Sequence, residues 1–218
     1  MTNARLIKNY IHAVSFISMA AGIMVMAGWF LGIEAIKSIL PGWVNMKFTT
    51  ALCFFLSGIS LYCVKKIMDS KKNSDPYWII LSGTTMIILL IMGGILISTF
   101  WGLKLGIDNL FIKETELVQS IVQGRPALPT MIDFLLITVV FVIAMSDNVK
   151  LFGAFFFIGA AISAIGLIAV CGYLLKIPLL TYYLTGVSGA MALHTAILFT
   201  LIGYAIILFK GGGDKNAA

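Results

Sequence analysis

The chain has 218 residues, of which 60% are hydrophobic and 11% charged, with a mean hydropathy of +1.03. A soluble domain carries about 45–50% apolar and about 25% charged residues, so this composition excludes a water-soluble globular protein. The net charge of +6 is not accompanied by any nucleic-acid module; it reads as a topology signal and a contact surface for anionic headgroups.

About 20 mostly apolar residues form a helix that crosses a hydrocarbon core of roughly 30 Å. Six stretches qualify: 11–33, 48–64, 77–103, 128–145, 151–175 and 190–209. The alternating pattern of barrel strands is absent, so the spans are predicted to be helices. Arg5 and Lys8 ahead of the first span resemble the basic end of a signal peptide. Its apolar run from Ile11 to Ile33 is longer than a signal core of about 7–15 residues, and a retained helix is expected. The second span leads into a polar, basic connection at 65–76. After the third span, residues 108–127 place Leu110, Phe111, Leu117, Ile121 and Val122 among charges. That segment reads either as an interfacial helix or lid, or as a loop with one amphipathic turn. The fourth span holds Asp133, residues 146–150 connect it to the fifth, and residues 211–218 after the sixth read as a flexible tail.

Lys and Arg set the orientation. With the N-terminus inside, nine fall on the cytoplasmic side (Arg5, Lys8, Lys65, Lys66, Lys71, Lys72, Lys150, Lys210 and Lys215) and six on the other. Both termini are therefore expected in the cytoplasm, with the protein in the inner (cytoplasmic) membrane. Cys53, Cys63 and Cys171 all lie within spans without metal-type spacing and read as small apolar side chains; no metal site is expected.

The spans pair into hairpins, and the second helix of each begins alike. Met46 to Phe54 and Met191 to Phe199 both fit M-x-x-x-T-A-φ-x-F, with Gly58 and Gly203 four residues later. Pro126 to Phe134 is a weaker version. The ends of the first helices also match: Trp29-Phe30-Leu31-Gly32-Ile33-Glu34 pairs with Leu103-Lys104-Leu105-Gly106-Ile107-Asp108 and with Tyr173-Leu174-Leu175-Lys176-Ile177-Pro178. The expected fold is thus an all-α polytopic bundle of six transmembrane helices, built as three parallel hairpin repeats at about 10–70, 77–147 and 151–210. Parallel repeats count against an alternating-access carrier, many of which use inverted ones.

Asp133, one turn inside its span, is a functional candidate because a charge in a span is costly; pairing with Arg125 or Lys47 is the structural alternative. His194 opens the sixth span near the same level. His12 lies at the opposite end of its span, which disfavours a bis-histidine haem within one chain and leaves a single axial ligand at His194 or an interchain site as the haem options. Thr50, Thr130 and Thr195 recur at one repeat position, where capping or packing competes with pocket lining. Gly22, Gly28, Gly32, Gly93, Gly94, Gly153, Gly159, Gly166 and Gly172 are expected to let helices approach closely. No HExxH, GxSxG, P-loop or paired-acid cluster is present.

The segments 28–62 and 191–208 resemble the multi-pass N-terminal membrane sensor regions of bacterial and archaeal histidine kinases and diguanylate cyclases, which repeat a Met-x-x-Asn/His-Thr-Ala-Leu-x-Phe-x-Leu-x-Gly helix start. His194, Thr195 and Ala196 match it, whereas Thr49 stands where those regions have Asn. The resemblance implies a sensor, here without the output domain such regions normally carry. The resulting expectation is a non-enzymatic sensor-like or accessory protein that binds a small ligand or partner subunit through its outward helix ends, at Asp133, His194, Thr50, Thr130 and Thr195. Its partners would be the bilayer and either a protein subunit or a second copy, and lipid or quinone are candidate ligands. The alternatives are a structural subunit of a respiratory, photosynthetic or secretion complex, and a small transporter or haem- or quinone-binding redox protein.

Overall fold

A computed structural model describes residues 2–40, 43–69, 75–102, 124–146, 153–183 and 188–209. Its elements are α1 (Thr2–Leu31), α2 (Glu34–Lys37), α3 (Phe48–Asp69), α4 (Asp75–Trp101), α5 (Leu128–Met145), α6 (Ala154–Leu175), a 3-10 turn (Pro178–Thr181) and α7 (Leu193–Phe209). Five helices of 18 residues or more are apolar enough to cross a membrane, and α7 is a shorter apolar helix. Such a set belongs to a multi-pass membrane protein. The segments 41–42, 103–123 and 184–187, the connections 70–74 and 147–152 and the tail from 210 lie outside the described residues, and with them most of the expected lid and the middle of the basic connection.

Helix α1 packs on α3, α4 on α5 and α6 on α7; α3 also meets α4, α5 meets α6, and α1 meets α7. Helices α3, α5 and α7 therefore form an inner group, with α1, α4 and α6 filling the spaces around it. The outer helices carry large exposed apolar side chains such as Phe16, Met24, Ile79, Leu90, Phe157 and Leu167. A soluble protein rarely exposes so continuous an apolar surface, and lipid is the solvent that suits it.

Two of the helix pairs meet in the same way. A Cβ on Gly22 would lie 2.6 Å from the Ala51 carbonyl oxygen and 2.8 Å from the Phe55 amide; one on Gly166 would crowd the Ala196 carbonyl and lie 2.9 Å from the Thr200 amide. Two turns away, a Cβ on Gly58 would lie 2.6 Å from the Ser15 carbonyl, and one on Gly203 would lie 2.6 Å from that of Gly159. In both pairs the backbones touch, the contact that stabilises helix pairs in lipid. On α4, Gly83 and Gly93 meet no neighbour, and fully buried Met92 stands ten residues before Gly102, where Gly22 and Gly166 stand ten before Gly32 and Lys176. Gly32, Gly93 and Gly153, by contrast, face open space, so the expected close-approach role does not apply to them.

Beyond α1 and α6 the chain turns identically. Gly32 and Lys176 are both left-handed (φ 68° and 56°), and the Ile33 and Ile177 amides each donate 2.9 Å to the Gly28 and Gly172 carbonyls. The indole Nε1 of Trp29 donates to the Met46 carbonyl (2.9 Å), as the Tyr173 hydroxyl does to that of Met191 (2.8 Å). On α4 the left-handed residue is Gly102, φ 64°. The sequence match had placed Gly106 in that role: apolar residues run past the turn, so hydropathy alone does not mark where the helix stops.

Gly166→Ala should cost about 1–3 kcal/mol, because the backbone of α7 cannot retreat. Gly93→Ala should be neutral or gain up to about 1 kcal/mol from helix propensity. Thermal unfolding of both variants in one detergent checks the pair, and equal midpoints would refute backbone contact between α6 and α7.

Candidate functional site

Helices α3, α5 and α7 all begin at one end of the bundle, and each carries a threonine as its third residue: Thr50, Thr130 and Thr195. All three are buried. Together with Asn45, Met46, Lys47, Pro126, Ala127, Ala190, Met191 and Ala192 they line one small cavity. Its lining comes in triplets counted back from each threonine: Met46, Pro126 and Met191 four residues before, and Lys47, Ala127 and Ala192 three before. The Ala51, Met131 and Ala196 amides donate to the carbonyls of Lys47, Ala127 and Ala192 at 3.0, 3.2 and 3.0 Å, so the three helices start in one conformation. Capping does not explain the threonine on α5. Ala127 is its N-cap residue and makes no side-chain bond, while the Leu128 amide donates to the Ser188 hydroxyl, 3.2 Å away.

Below the threonines the axis is closed. Phe54, Phe134 and Phe199, each four residues after its threonine, are fully buried. Their ring centroids lie 4.8, 4.8 and 4.9 Å apart at tilted or edge-to-face angles, the preferred aromatic geometry. The cavity above them measures about 10 Å³, roughly the space of one water molecule. A larger group enters only if the helix starts part.

Asp133 and His194 do not line this cavity. Asp133 is fully buried, one turn below Thr130, and neither carboxylate oxygen has a hydrogen-bond partner. Arg125, a candidate partner from sequence, donates instead to the Ser98 hydroxyl, 3.2 Å away. Asp133 is near Tyr182, whose hydroxyl donates to the Ile165 carbonyl of α6 (3.0 Å); burial raises the Tyr182 phenol above its ordinary range, and the Asp133 charge adds to this. Asp133 thus lies within electrostatic range of the segment after α6. At the corresponding positions, three residues after the other threonines, stand Cys53 and Leu198, both buried. His194 is half-buried, with both ring nitrogens buried and unpartnered, and it approaches the Lys37 backbone. The structure therefore gathers the three threonines and sets Asp133 and His194 on separate flanks. No group of three or more His, Cys, Asp or Glu residues capable of holding a metal occurs among the described residues.

Beside His194, the α2 corner is neutralised internally. The Lys37 ammonium bonds the Glu34 carboxylate and lies 4.4 Å from the centre of the Trp29 ring, and the Asn45 amide donates to Glu34 (3.1 Å). The i, i+3 spacing of Glu34 and Lys37 is the one sequence signal of this contact.

Removing an unsatisfied buried carboxyl relieves a cost of about 1–3 kcal/mol. Asp133→Leu, which copies Leu198, should raise thermal stability by that order; a comparable loss would reveal a partner for the carboxylate. At the α2 corner, the Lys37 ammonium holds the Glu34 carboxyl below the ordinary carboxylate range. Its contribution is therefore complete above the ordinary carboxylate pKa and is lost as pH falls through the lowered value. Fluorescence of Trp29, isolated by comparison with Glu34→Gln, should change in that acidic window and stay flat above it. No known protein family, curated protein or solved structure matches the chain, so its own residues carry the functional reading.

Proposed function

We propose that this chain is a non-enzymatic, sensor-like or accessory membrane protein of six transmembrane helices, built as three hairpins of one orientation around a central axis. It receives a small ligand, or a group of a partner subunit, at the end where α3, α5 and α7 begin. The observation that carries this reading is the cavity lined by Thr50, Thr130 and Thr195 and by the triplets before them. The matching glycine contacts and left-handed turns of the α1–α3 and α6–α7 pairs support the hairpin plan, with α7 as the sixth crossing. The Phe54, Phe134 and Phe199 cluster beneath the cavity favours recognition over passage through the axis.

In this reading the vestibule faces away from the cytoplasm, and the end bearing Arg5, Lys8, Lys65 and Lys66 faces into it, as the positive-inside tendency requires. Both termini then lie in the cytoplasm. A sensor needs two states that its ligand binds unequally. The closed vestibule supplies one state, and parting of the helix starts supplies the other. Asp133 and His194 flank the moving ends, where an unpartnered carboxylate and imidazole gain partners most readily when the packing changes.

The test uses the full chain with Cys53, Cys63 and Cys171 replaced by alanine and reconstituted in vesicles. Thr50→Cys should react with a small, impermeant methanethiosulfonate cation from the side opposite to Lys66→Cys. Phe134→Cys should stay unreactive. Modification at position 50 should also change amide exchange at the Lys8–Asp69 end. Reaction of both cysteines from one side would overturn the orientation, and an unchanged far end would overturn the sensor reading.

A further inference from the structure

A second cavity, of about 240 Å³, lies at the same end but off the axis, between the residues leading into α3 and the corner after α6; its walls include Trp43, Val44, Tyr173, Lys176, Pro178 and Thr181. The rings of Trp43 and Tyr173 lie 4.8 Å apart at 34°. Lys176 is exposed, and no hydrogen bond or ion pair of its ammonium occurs among the described residues. An aromatic-walled cleft thus carries a cation with no counterion among the described residues.

The corner after α1 explains why this one is open. The two corners share their backbone, from the left-handed residue through the Ile33 and Ile177 amides, so they correspond residue for residue. Where the first has Trp29, Glu34 and Lys37, the second has Tyr173, Pro178 and Thr181. In the first, the Lys37 ammonium lies over the Trp29 ring and is neutralised by Glu34. In the second, both members of that ion pair are gone and a cavity remains. A cation has also appeared where the first corner has Gly32. Lys176 holds a left-handed φ of 56°, a conformation that a glycine adopts without strain and that Gly32 and Gly102 adopt in the other corners. A lysine in the last turn of α6 would suit the helix dipole equally well without that strain.

We propose that this cleft binds an anionic amphiphile, with its carboxylate or phosphate head on Lys176 and the first part of its chain against Trp43 and Tyr173. The volume is below the about 300–1,000 Å³ of pockets that enclose a drug-sized ligand, so the rest of the chain continues along the exposed apolar surface of Ile177 and Leu179 into the bilayer. A tryptophan and a tyrosine at a helix end also match the headgroup level of a membrane. This site shares no residue with the axial vestibule, and either proposal stands if the other fails.

The probes are 11-bromoundecanoate and 11-bromoundecanol, which quench tryptophan and share a brominated chain but carry an anionic carboxylate and a neutral hydroxyl head respectively. They are applied to the full chain in zwitterionic nanodiscs, and the Trp43 signal is the difference between wild type and Trp43→Phe. The acid should quench Trp43 saturably and about three- to fivefold more tightly than the alcohol, the range of one partly exposed ion pair. Lys176→Gln should remove that preference. Pro178→Glu combined with Thr181→Lys, which rebuilds the first corner's ion pair, should abolish saturable quenching; this variant keeps the test decisive if Lys176→Gln fails to fold. Undecanoate should compete, whether it represents a free fatty acid or a lipid chain with an anionic head. Equal quenching by acid and alcohol, an unchanged Lys176→Gln, or displacement by inorganic phosphate as effective as by undecanoate would each overturn the proposal.

Discussion

Backbone contact between helices is the constraint on which the rest of this structure depends. In lipid, apolar side chains gain little by leaving one hydrocarbon environment for another, so association rests on dispersion and close fit. The contact of Gly22 with α3 and of Gly166 with α7 draws each pair together until main chains touch. That approach fixes where the helices end relative to each other. It also sets the height at which Trp29 reaches the Met46 carbonyl and Tyr173 that of Met191. These two bonds tie the segments leading into α3 and α7 to the ends of α1 and α6. The matching positions of Thr50 and Thr195 at the cavity follow from it. Pairs held by side chains alone would tolerate more sliding and rotation, and these two positions would lose their registration.

The α4–α5 pair shows what happens without that constraint. On α4 the position of Gly22 and Gly166 is taken by the buried Met92, a side chain that adapts more readily than a backbone contact does. Asp133 lies on α5, the inner helix of this pair, at a level where α3 has Cys53 and α7 has Leu198. A buried carboxylate without partners is tolerated only where the surrounding packing holds it, and such departures from local consistency concentrate where a protein works. Small packing changes there alter the environment of that carboxylate, which is what the proposed two-state reading needs.

Much of the fold was legible in the sequence because lipid imposes so coarse a rule. Runs of some 20 apolar residues had to be helices, and the M-x-x-x-T-A-φ-x-F pattern marked both the helix starts and the phenylalanines that meet on the axis. The placement of Thr50, Thr130 and Thr195 on one cavity was readable from their shared position. What the sequence did not disclose is direction. Asp133 and His194 lie at similar depth, yet one is within electrostatic range of Tyr182 while the other approaches Lys37; a helix hydrophobic on every side gives no periodicity from which to orient a polar residue. Helix ends were missed for the same reason. The stop at Gly102 rests on a dihedral angle, within a run whose hydropathy does not change.

The two corners after α1 and α6 carry this argument furthest, because they hold the backbone fixed while the chemistry changes. One conformation, set by a left-handed residue and one amide-to-carbonyl bond, supports in one place a closed ion pair over an indole and in the other an open cleft beside an ammonium with no counterion among the described residues. The scaffold therefore does not dictate what binds at its rim; four side chains do. Exchanging Gly32, Trp29, Glu34 and Lys37 for Lys176, Tyr173, Pro178 and Thr181 takes the net charge of the corner from neutral to that of one cation, since Lys176 replaces a neutralised pair. It turns an internally satisfied charge into one with no counterion among the described residues. In the proposed reading an anionic amphiphile supplies that counterion, and its binding offsets the strain of holding a lysine at a left-handed position.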